Sequence, residues 1–255
     1  MNLLTIVKAG GKIIENDSSL RAFLKDFSLI AGHKILIHGG GSLATQLADK
    51  LGVQSRMIDG RRITDEETLK IVTMVYAGWI NKTIVACLQE LGIDAIGLTG
   101  ADMNLISAVK RPVKDIDYGY AGDIRRVNAL VLKDMLTQNY VPVIAPLTHD
   151  GSGQLLNTNA DTIAGEVAKA LAYDFNVRLI YCSDKKGVLL NEEDENSSIP
   201  LLTKEDFVRY KEEGVIREGM IPKLENAFDA IASGVKEIIL THASDIHRGG
   251  GTFIR

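Results

Sequence analysis

The chain has 255 residues, of which 45% are hydrophobic and 24% charged, which fits one large α/β domain or two closely joined lobes. A net charge of −4 and a pI near 5.8 argue against a polyanion-binding surface, so no nucleic-acid partner is expected. The five histidines form no HExxH pattern and no uninterrupted apolar run approaches a membrane span, so we expect no protein-held metal, no membrane partner and a cytoplasmic location.

Six short apolar runs predict the strands of a mostly parallel sheet. Several are apolar throughout, which is typical of strands covered on both faces. Helical patterns lie between them, and this alternation favours right-handed crossovers in an α/β fold. The predicted strands are Leu3–Lys8, Lys34–His38, Ala95–Leu98, Val141–Ala145, Val177–Cys182 and Lys236–Leu240.

A long helical pattern begins at the capping box Thr64–Glu67 and ends at Leu91. Unbroken, it would reach about 40 Å, too long for one small core to cover. We expect either a subunit interface or a kinked internal helix. No composition shift marks a linker; a boundary between two lobes is predicted within Tyr173–Asn176, and the acidic stretch Asn191–Ser198 is predicted to be a solvated loop tip.

Two glycine-rich turns follow predicted strands, where ligands gather in open α/β sheets. The first is Lys8-Ala9-Gly10-Gly11, and the second, His38-Gly39-Gly40-Gly41-Ser42, also opens a helix. Glycines let backbone amides approach an anion, and a helix N-terminus favours negative charge. The alternatives are a tight turn beside a surface lysine and a strained turn without a ligand.

The second turn also matches the dinucleotide fingerprint G-x-G-x-x-A through Gly39, Gly41 and Ala44, with Asp59 further on. This match makes a nicotinamide-dependent dehydrogenase the alternative of another class. The match is weak because the fingerprint belongs after the first strand of its unit, and here it follows the second.

Two charged residues lie in the first turns of predicted helices. Asp161 follows Asn157-Thr158-Asn159, where helix capping alone accounts for much of the pattern. Lys223 follows Pro222 in a first turn where the helix dipole disfavours a cation. A bound anion would reconcile that conflict, and a lysine that snorkels to solvent is the alternative. The guanidinium of Arg62 suits a bidentate carboxylate.

Taken together and in order, these segments resemble the acetylglutamate kinases of the amino acid kinase family. The resemblance covers nearly the whole chain. It is carried by Lys8-Ala9-Gly10-Gly11, His38-Gly39-Gly40-Gly41, Gly60-Arg61-Arg62-Ile63-Thr64, Asn81-Lys82, Gly97-Leu98-Thr99-Gly100-Ala101-Asp102, Val141-Pro142-Val143-Ile144-Ala145-Pro146, Asn157-Thr158-Asn159-Ala160-Asp161, Ser183-Asp184, Gly187-Val188-Leu189 and Gly219-Met220-Ile221-Pro222-Lys223.

The resemblance implies an open three-layer αβα sandwich, with an N-acylglutamate-binding lobe (1–174) and an ATP-binding lobe (175–255). Lys8 and Lys223 would stabilise the transferring phosphoryl group, and Asp161 would orient both lysines. The remaining site residues fall into two groups. Substrate binding is implied for Gly40, Gly41, Arg62 and Asn157, and ATP or phosphate binding for Gly11, Asp184, Gly187, Val215, Ile216 and Arg217.

The implied reaction is ATP-dependent phosphorylation of the side-chain carboxylate of N-acetyl-L-glutamate in arginine biosynthesis, with Mg²⁺ arriving on ATP. The segment Lys110–Gly122 matches loosely and is basic, so N-succinyl-L-glutamate, which carries a second carboxylate, is the alternative substrate. The chain starts directly at its first strand, without the extra N-terminal helix of arginine-inhibited hexameric relatives. We therefore expect a homodimer.

Overall fold

The structure is a computed structural model. It describes residues 1–58, 60–191, 193–217, 220–246 and 250–255. Two residues named above, Asp59 of the dinucleotide fingerprint and Gly219 of the last motif, lie outside the described residues.

The described residues form fourteen strands and nine α-helices. The strands are β1 (Leu3–Ala9), β2 (His33–His38), β3 (Arg56–Ile58), β4 (Arg61–Ile63), β5 (Ala95–Leu98), β6 (Ile106–Lys110), β7 (Gly122–Val127), β8 (Val141–Ile144), β9 (Leu147–His149), β10 (Leu155–Asn157), β11 (Asn176–Ser183), β12 (Leu201–Leu202), β13 (Glu237–His242) and β14 (Thr252–Ile254). The helices are α1 (Gly11–Glu15), α2 (Asp17–Ser28), α3 (Gly41–Lys50), α4 (Glu66–Thr73), α5 (Asn81–Glu90), α6 (Ala129–Thr137), α7 (Ala160–Leu171), α8 (Lys204–Glu212) and α9 (Ile221–Ala232).

Eight strands build the central sheet in the order β12-β14-β13-β11-β1-β2-β8-β5. Every neighbouring pair is parallel except β13 and β14. All six predicted strands are present in this sheet with ends shifted by at most two residues, so the prediction of a mostly parallel sheet is confirmed. The short edge strand β12 was not predicted.

Side chains on β1 alternate between two hydrophobic clusters, one on each face of the sheet. Leu4 and Ile6 pack in the first cluster, with residues of α6, α7, α8 and α9. Val7 and Ala9 pack in the second, with residues of α1 to α5. Helices cover both faces, so the predicted three-layer αβα sandwich is confirmed.

A second sheet of four strands, in the order β10-β9-β6-β7, and the two-stranded hairpin β3-β4 were not predicted. Their strands are short, and β7 reads Gly-Asp-Ile-Arg-Arg-Val, which has little apolar periodicity. A bulge between Ser107 and Ala108 breaks the register of β6 against β7. Asn157 of β10 also forms an isolated parallel bridge with Ala121.

The long predicted helix is continuous from Glu66 to Glu90 but changes its winding. The π-helical turn Met74–Ile80 joins α4 to α5. The N-cap is Asp65, one residue later than the predicted capping box, because its carboxylate accepts a hydrogen bond from the Thr68 amide at 2.8 Å.

By length and composition alone the 66–90 helix is long and apolar enough to cross a membrane, although charged residues interrupt its apolar runs. Half of its most apolar stretch is buried inside the protein. Val72, Val75, Ile84 and Leu88 belong to the second hydrophobic cluster. Its apolar character is therefore explained in part by packing against the central sheet.

Candidate active site

Three charged side chains meet at the carboxyl end of β1. The Asp161 carboxylate lies 2.8 Å from Lys8 Nζ through Oδ1 and 3.7 Å from Lys223 Nζ through Oδ2. The side chains of Lys8, Asp161 and Lys223 are 11%, 20% and 18% exposed, so this ion triplet is largely shielded from water. The structure thus brings together the three residues predicted to be catalytic.

The sequence of each element explains why these groups converge. Lys8 is near the end of β1, on the face that Leu4 and Ile6 also occupy. Asp161 is in the first turn of α7, whose N-cap Asn159 accepts hydrogen bonds from the Asp161 and Thr162 amides. Lys223 is in the first turn of α9, as predicted. Two positive helix ends therefore point toward the carboxyl end of β1.

Burial and the opposite charges nearby shift the pKa values of Asp161 and Lys223 in opposite directions. Burial alone would raise the pKa of Asp161, but Lys8 and Lys223 outweigh it and hold that pKa below its ordinary value. Burial lowers the pKa of Lys223, and Lys8 adds to this effect, whereas Asp161 and Asp184 oppose it. Asp161 is thus kept ionised between the two lysines.

Tyr181 on β11 supports the triplet and was missed by sequence reasoning. Its hydroxyl donates a hydrogen bond to the Asp161 carbonyl at 3.2 Å, and Lys223 Nζ lies 5.8 Å from its ring centroid. Tyr181 pairs in register with Lys8 on the adjacent strand. The alternation of side chains along a strand would predict that Tyr181 lies on the same face as Lys8, but only if the parallel register of β1 and β11 is already known.

A cavity of about 160 Å³ lies beside the triplet. The four residues predicted to bind substrate, Gly40, Gly41, Arg62 and Asn157, all line it, and so do Arg61 and Asn159. Arg62 is buried and donates to Ser55 Oγ, the Gly41 carbonyl and Thr45 Oγ1 at 2.7–2.8 Å. Arg62 therefore braces the glycine turn, and its contact with a substrate carboxylate stays a prediction.

The glycine turn at the start of α3 packs tightly against the π-helical turn. Gly40 has φ = 147°, and a Cβ there would lie 2.3 Å from Ile80 Cδ1 and 3.2 Å from Tyr76 Cδ1. No other residue fits this backbone without displacing those side chains. The Gly39 amide donates to the Ala9 carbonyl at 3.2 Å, so Gly39 ties the turn to β1, while Gly41 begins α3.

His38 contacts this glycine turn and is completely buried. Its Nδ1 lies 2.8 Å from the Gly39 carbonyl, and its Nε2 lies 3.2 Å from the Asn81 side-chain nitrogen. Because an amide NH₂ can only donate, the neutral imidazole carries its proton on Nδ1 and donates it to Gly39. Burial lowers the pKa of His38 to about 4, with Lys82 contributing.

The residues predicted to contact nucleotide lie in two neighbouring places. Gly187, Val215, Ile216 and Arg217 line one small cavity. Asp184, just after β11, forms an ion pair with Lys12, and this pairing is the main cause of the lowered pKa of Asp184. Gly11 opens α1, with Glu15 and Ser42 beside it. No cluster of three or more potential metal-ligating side chains occurs among the described residues.

Comparison with known proteins agrees with this fold. The model of the amino acid kinase family matches residues 4–242. The chain therefore belongs to the amino acid kinase family, a class of phosphotransferases.

Within that family the chain is similar to acetylglutamate kinases. The enzyme of that name from Phocaeicola vulgatus is 60% identical over 252 residues, covering 99% of this chain and 98% of the relative. The one from Methanopyrus kandleri is 38% identical over 256 residues, covering 99% and 100%. Among solved structures, smu.665 from Streptococcus mutans UA159 has a TM-score of 0.83 at 27% identity, covering 98% of both chains.

The dehydrogenase alternative finds no support in these comparisons. In the structure the glycine turn follows β2, the second strand of the chain, and packs against Tyr76 and Ile80. The resemblance to acetylglutamate kinases is confirmed.

The buried His38 predicts a specific pH dependence of stability. Its pKa is about 4 in the folded chain and about 6.5 when unfolded, so the unfolded state binds more protons between these values. Stability should therefore fall as the pH is lowered from 6.5 toward 4, by about 3 kcal/mol from this residue. His38→Gln should remove that part of the slope in urea titrations at successive pH values. His149→Gln, at a partly exposed histidine, is the control and should retain the wild-type slope. An unchanged slope in folded His38→Gln would contradict the assignment.

Proposed function

We propose that this chain transfers the γ-phosphoryl group of ATP to the side-chain carboxylate of N-acetyl-L-glutamate, the second step of arginine biosynthesis. The observation that carries the proposal is the pair of lysines sharing the Asp161 carboxylate beside the substrate-sized cavity. The names of the close relatives supply the acceptor.

The chemistry needs cations more than it needs a general base. A glutamate side chain has a pKa near 4.3, so the nucleophilic carboxylate is already ionised at neutral pH. It must approach a triphosphate, and two unit charges 4 Å apart repel by about 4 kcal/mol at an effective dielectric of 20. Lys8 and Lys223 would neutralise the phosphoryl group during transfer, and Asp161 would hold both ammonium groups at the same point.

The ligands divide between the two halves of the site. The acylamino acid would occupy the cavity of Gly40, Gly41, Arg62 and Asn157, and the adenine nucleotide would lie along Gly187 and Val215–Arg217. This division corresponds to a substrate lobe (1–174) and a nucleotide lobe (175–255). Mg²⁺ would bind mainly to the phosphates of ATP, since both nearby carboxylates, Asp161 and Asp184, are engaged by lysines. We also propose a cytoplasmic location, where ATP and this substrate class are available.

N-Succinyl-L-glutamate is a second candidate acceptor because the cavity has two arginines. Arg61 lines the cavity beside Arg62. The nearby charges of Arg111 and Asp123 affect the pKa of Arg61 in opposite directions. Burial is the main cause of its lowered pKa, followed by Arg111. A partly buried guanidinium at this wall could meet a second substrate carboxylate.

A comparison of acceptors tests the proposed function. With ATP, N-acetyl-L-glutamate should give an acyl phosphate that hydroxylamine traps as a hydroxamate, with kcat/KM at least tenfold above that for N-succinyl-L-glutamate. Free glutamate, aspartate and carbamate serve as controls and should give little product. A reversed preference would identify the succinyl compound as the acceptor and leave the proposed reaction class unchanged. Activity on none of the acyl glutamates would overturn the proposal.

Lys223→Ala should lower kcat by well over tenfold while the fold survives, because Asp161 keeps its shorter contact with Lys8. Lys70→Ala is the matched control: Lys70 also pairs with carboxylates, those of Glu66 and Glu67, but on the exposed surface of α4. Steady-state kinetics and thermal melting should be measured on both variants. Near-normal turnover in folded Lys223→Ala would remove this lysine from the mechanism.

We further propose that the chain forms a homodimer through the exposed side of the 66–90 helix. Met74 and Trp79 are 53% and 57% exposed on that helix, and Ile96 is exposed on the edge strand β5. Trp79→Glu should shift the molecular mass measured by sedimentation equilibrium from dimer to monomer. Leu130→Glu, at an even more exposed apolar residue of α6, should leave the mass unchanged. A dimeric Trp79→Glu variant would rule out this surface.

A further inference from the structure

An ion pair joins helix α1 to the segment that follows β11. Lys12 of α1 follows β1, and Asp184 follows the adjacent strand β11. Lys12 Nζ lies 2.5 Å from Asp184 Oδ2, although 172 residues separate them in sequence. The Lys12 side chain is 74% exposed and that of Asp184 is 46% exposed. Exposed pairs of this kind contribute little to folding stability, so a structural role does not explain the contact.

The pair extends the charged array of the ion triplet. Burial lowers the pKa of Lys223, and the charge of the Asp184 carboxylate partly offsets that effect. The charges therefore alternate in the order Lys12, Asp184, Lys223, Asp161 and Lys8. Three ammonium groups and two carboxylates leave one positive charge in excess, which suits a site that receives an anion.

We propose that Lys12 is a third phosphate-binding cation, whose ammonium group passes from Asp184 to the β- and γ-phosphates when ATP binds. The inference rests on the proposed function and adds a residue to its nucleotide site. A lysine has a flexible stem and a compact charge, so it can change partners without a change in the backbone. A terminal phosphate carries more negative charge than one carboxylate and offers three acceptor oxygens, so it can displace Asp184.

The other charge near Lys12 does not prevent this exchange. After Asp184, the carboxylate of Glu15 on the same helix also helps to raise the pKa of Lys12. Its carboxylate, however, accepts a hydrogen bond from Ser42 at the start of α3. Asp184 is thus the contact partner of Lys12 in the ligand-free chain, and it keeps the ammonium group beside the ion triplet before nucleotide arrives.

Nucleotide titration calorimetry of Lys12→Ala tests the inference directly. The variant should bind MgATP and MgADP about tenfold more weakly than the wild type, since one charge-assisted hydrogen bond is lost. Its affinity for AMP, which lacks the β- and γ-phosphates, should stay within twofold. Lys12→Arg should recover most of the affinity, and the KM for N-acetyl-L-glutamate should change by less than twofold in both variants.

Lys133→Ala is the matched control. Lys133 also forms a long-range ion pair with a 2.5 Å contact, to Asp174. Asp174 precedes the start of β11 and Asp184 follows its end, so the two pairs lie at opposite ends of a strand of eight residues, roughly 26 Å long. This variant should bind all three nucleotides like the wild type.

The outcomes separate this inference from the proposed function. Unchanged MgATP affinity in Lys12→Ala, or an equal loss for AMP, would overturn the role of Lys12 even if the wild type phosphorylates N-acetyl-L-glutamate. Conversely, a wild type that binds ATP but phosphorylates no acyl glutamate would overturn the proposed acceptor. In that case, selective weakening of MgATP and MgADP in Lys12→Ala would still support the phosphate contact, because the titration contains no acceptor.

Discussion

An ionised carboxylate that is largely shielded from water is stable only when cations compensate it, and this constraint organises the active site. Asp161 meets that requirement through Lys8 and Lys223, which come from a strand end and a helix start more than 200 residues apart in sequence. Burial disfavours the charged forms of Asp161 and Lys223, and the attraction between these two opposite charges opposes that effect. The same arrangement leaves two ammonium groups side by side, a costly pairing that a transferring phosphoryl group would relieve.

The sequence could predict the central sheet because its strands carry their own signal. The runs that form β1, β2, β8 and β11 are apolar on both faces, and a parallel sheet requires this. The second sheet carries no such signal, since its short strands are partly polar and one is bulged. The π-helical turn was also missed, because a helical periodicity does not reveal one extra residue in a turn.

Lys8, Asp161 and Lys223 could be singled out from the sequence because each lies near the end of a strand or in the first turn of a helix, and a parallel sheet brings such positions to one edge. The supporting contacts could not be found in this way. Tyr181 reaches Asp161 through the register of β1 with β11, His38 meets Asn81 across 43 residues, and Lys12 meets Asp184 across 172. Each depends on which residues the tertiary fold brings opposite one another, and no local pattern encodes that.

The π-helical turn contributes side chains both to the packing around the glycine turn and to the surface proposed for dimerisation. On one side, Tyr76 and Ile80 contact Gly40 and fix the turn that opens α3. On the other, Met74 and Trp79 are exposed in the surface proposed for dimerisation. Because the added residue in a π-turn rotates the following helix, it lets one helix present both sets of side chains. Association through Met74 and Trp79 would immobilise the same turn against which Gly40 packs, so subunit contact and the geometry of the substrate cavity would be mechanically coupled.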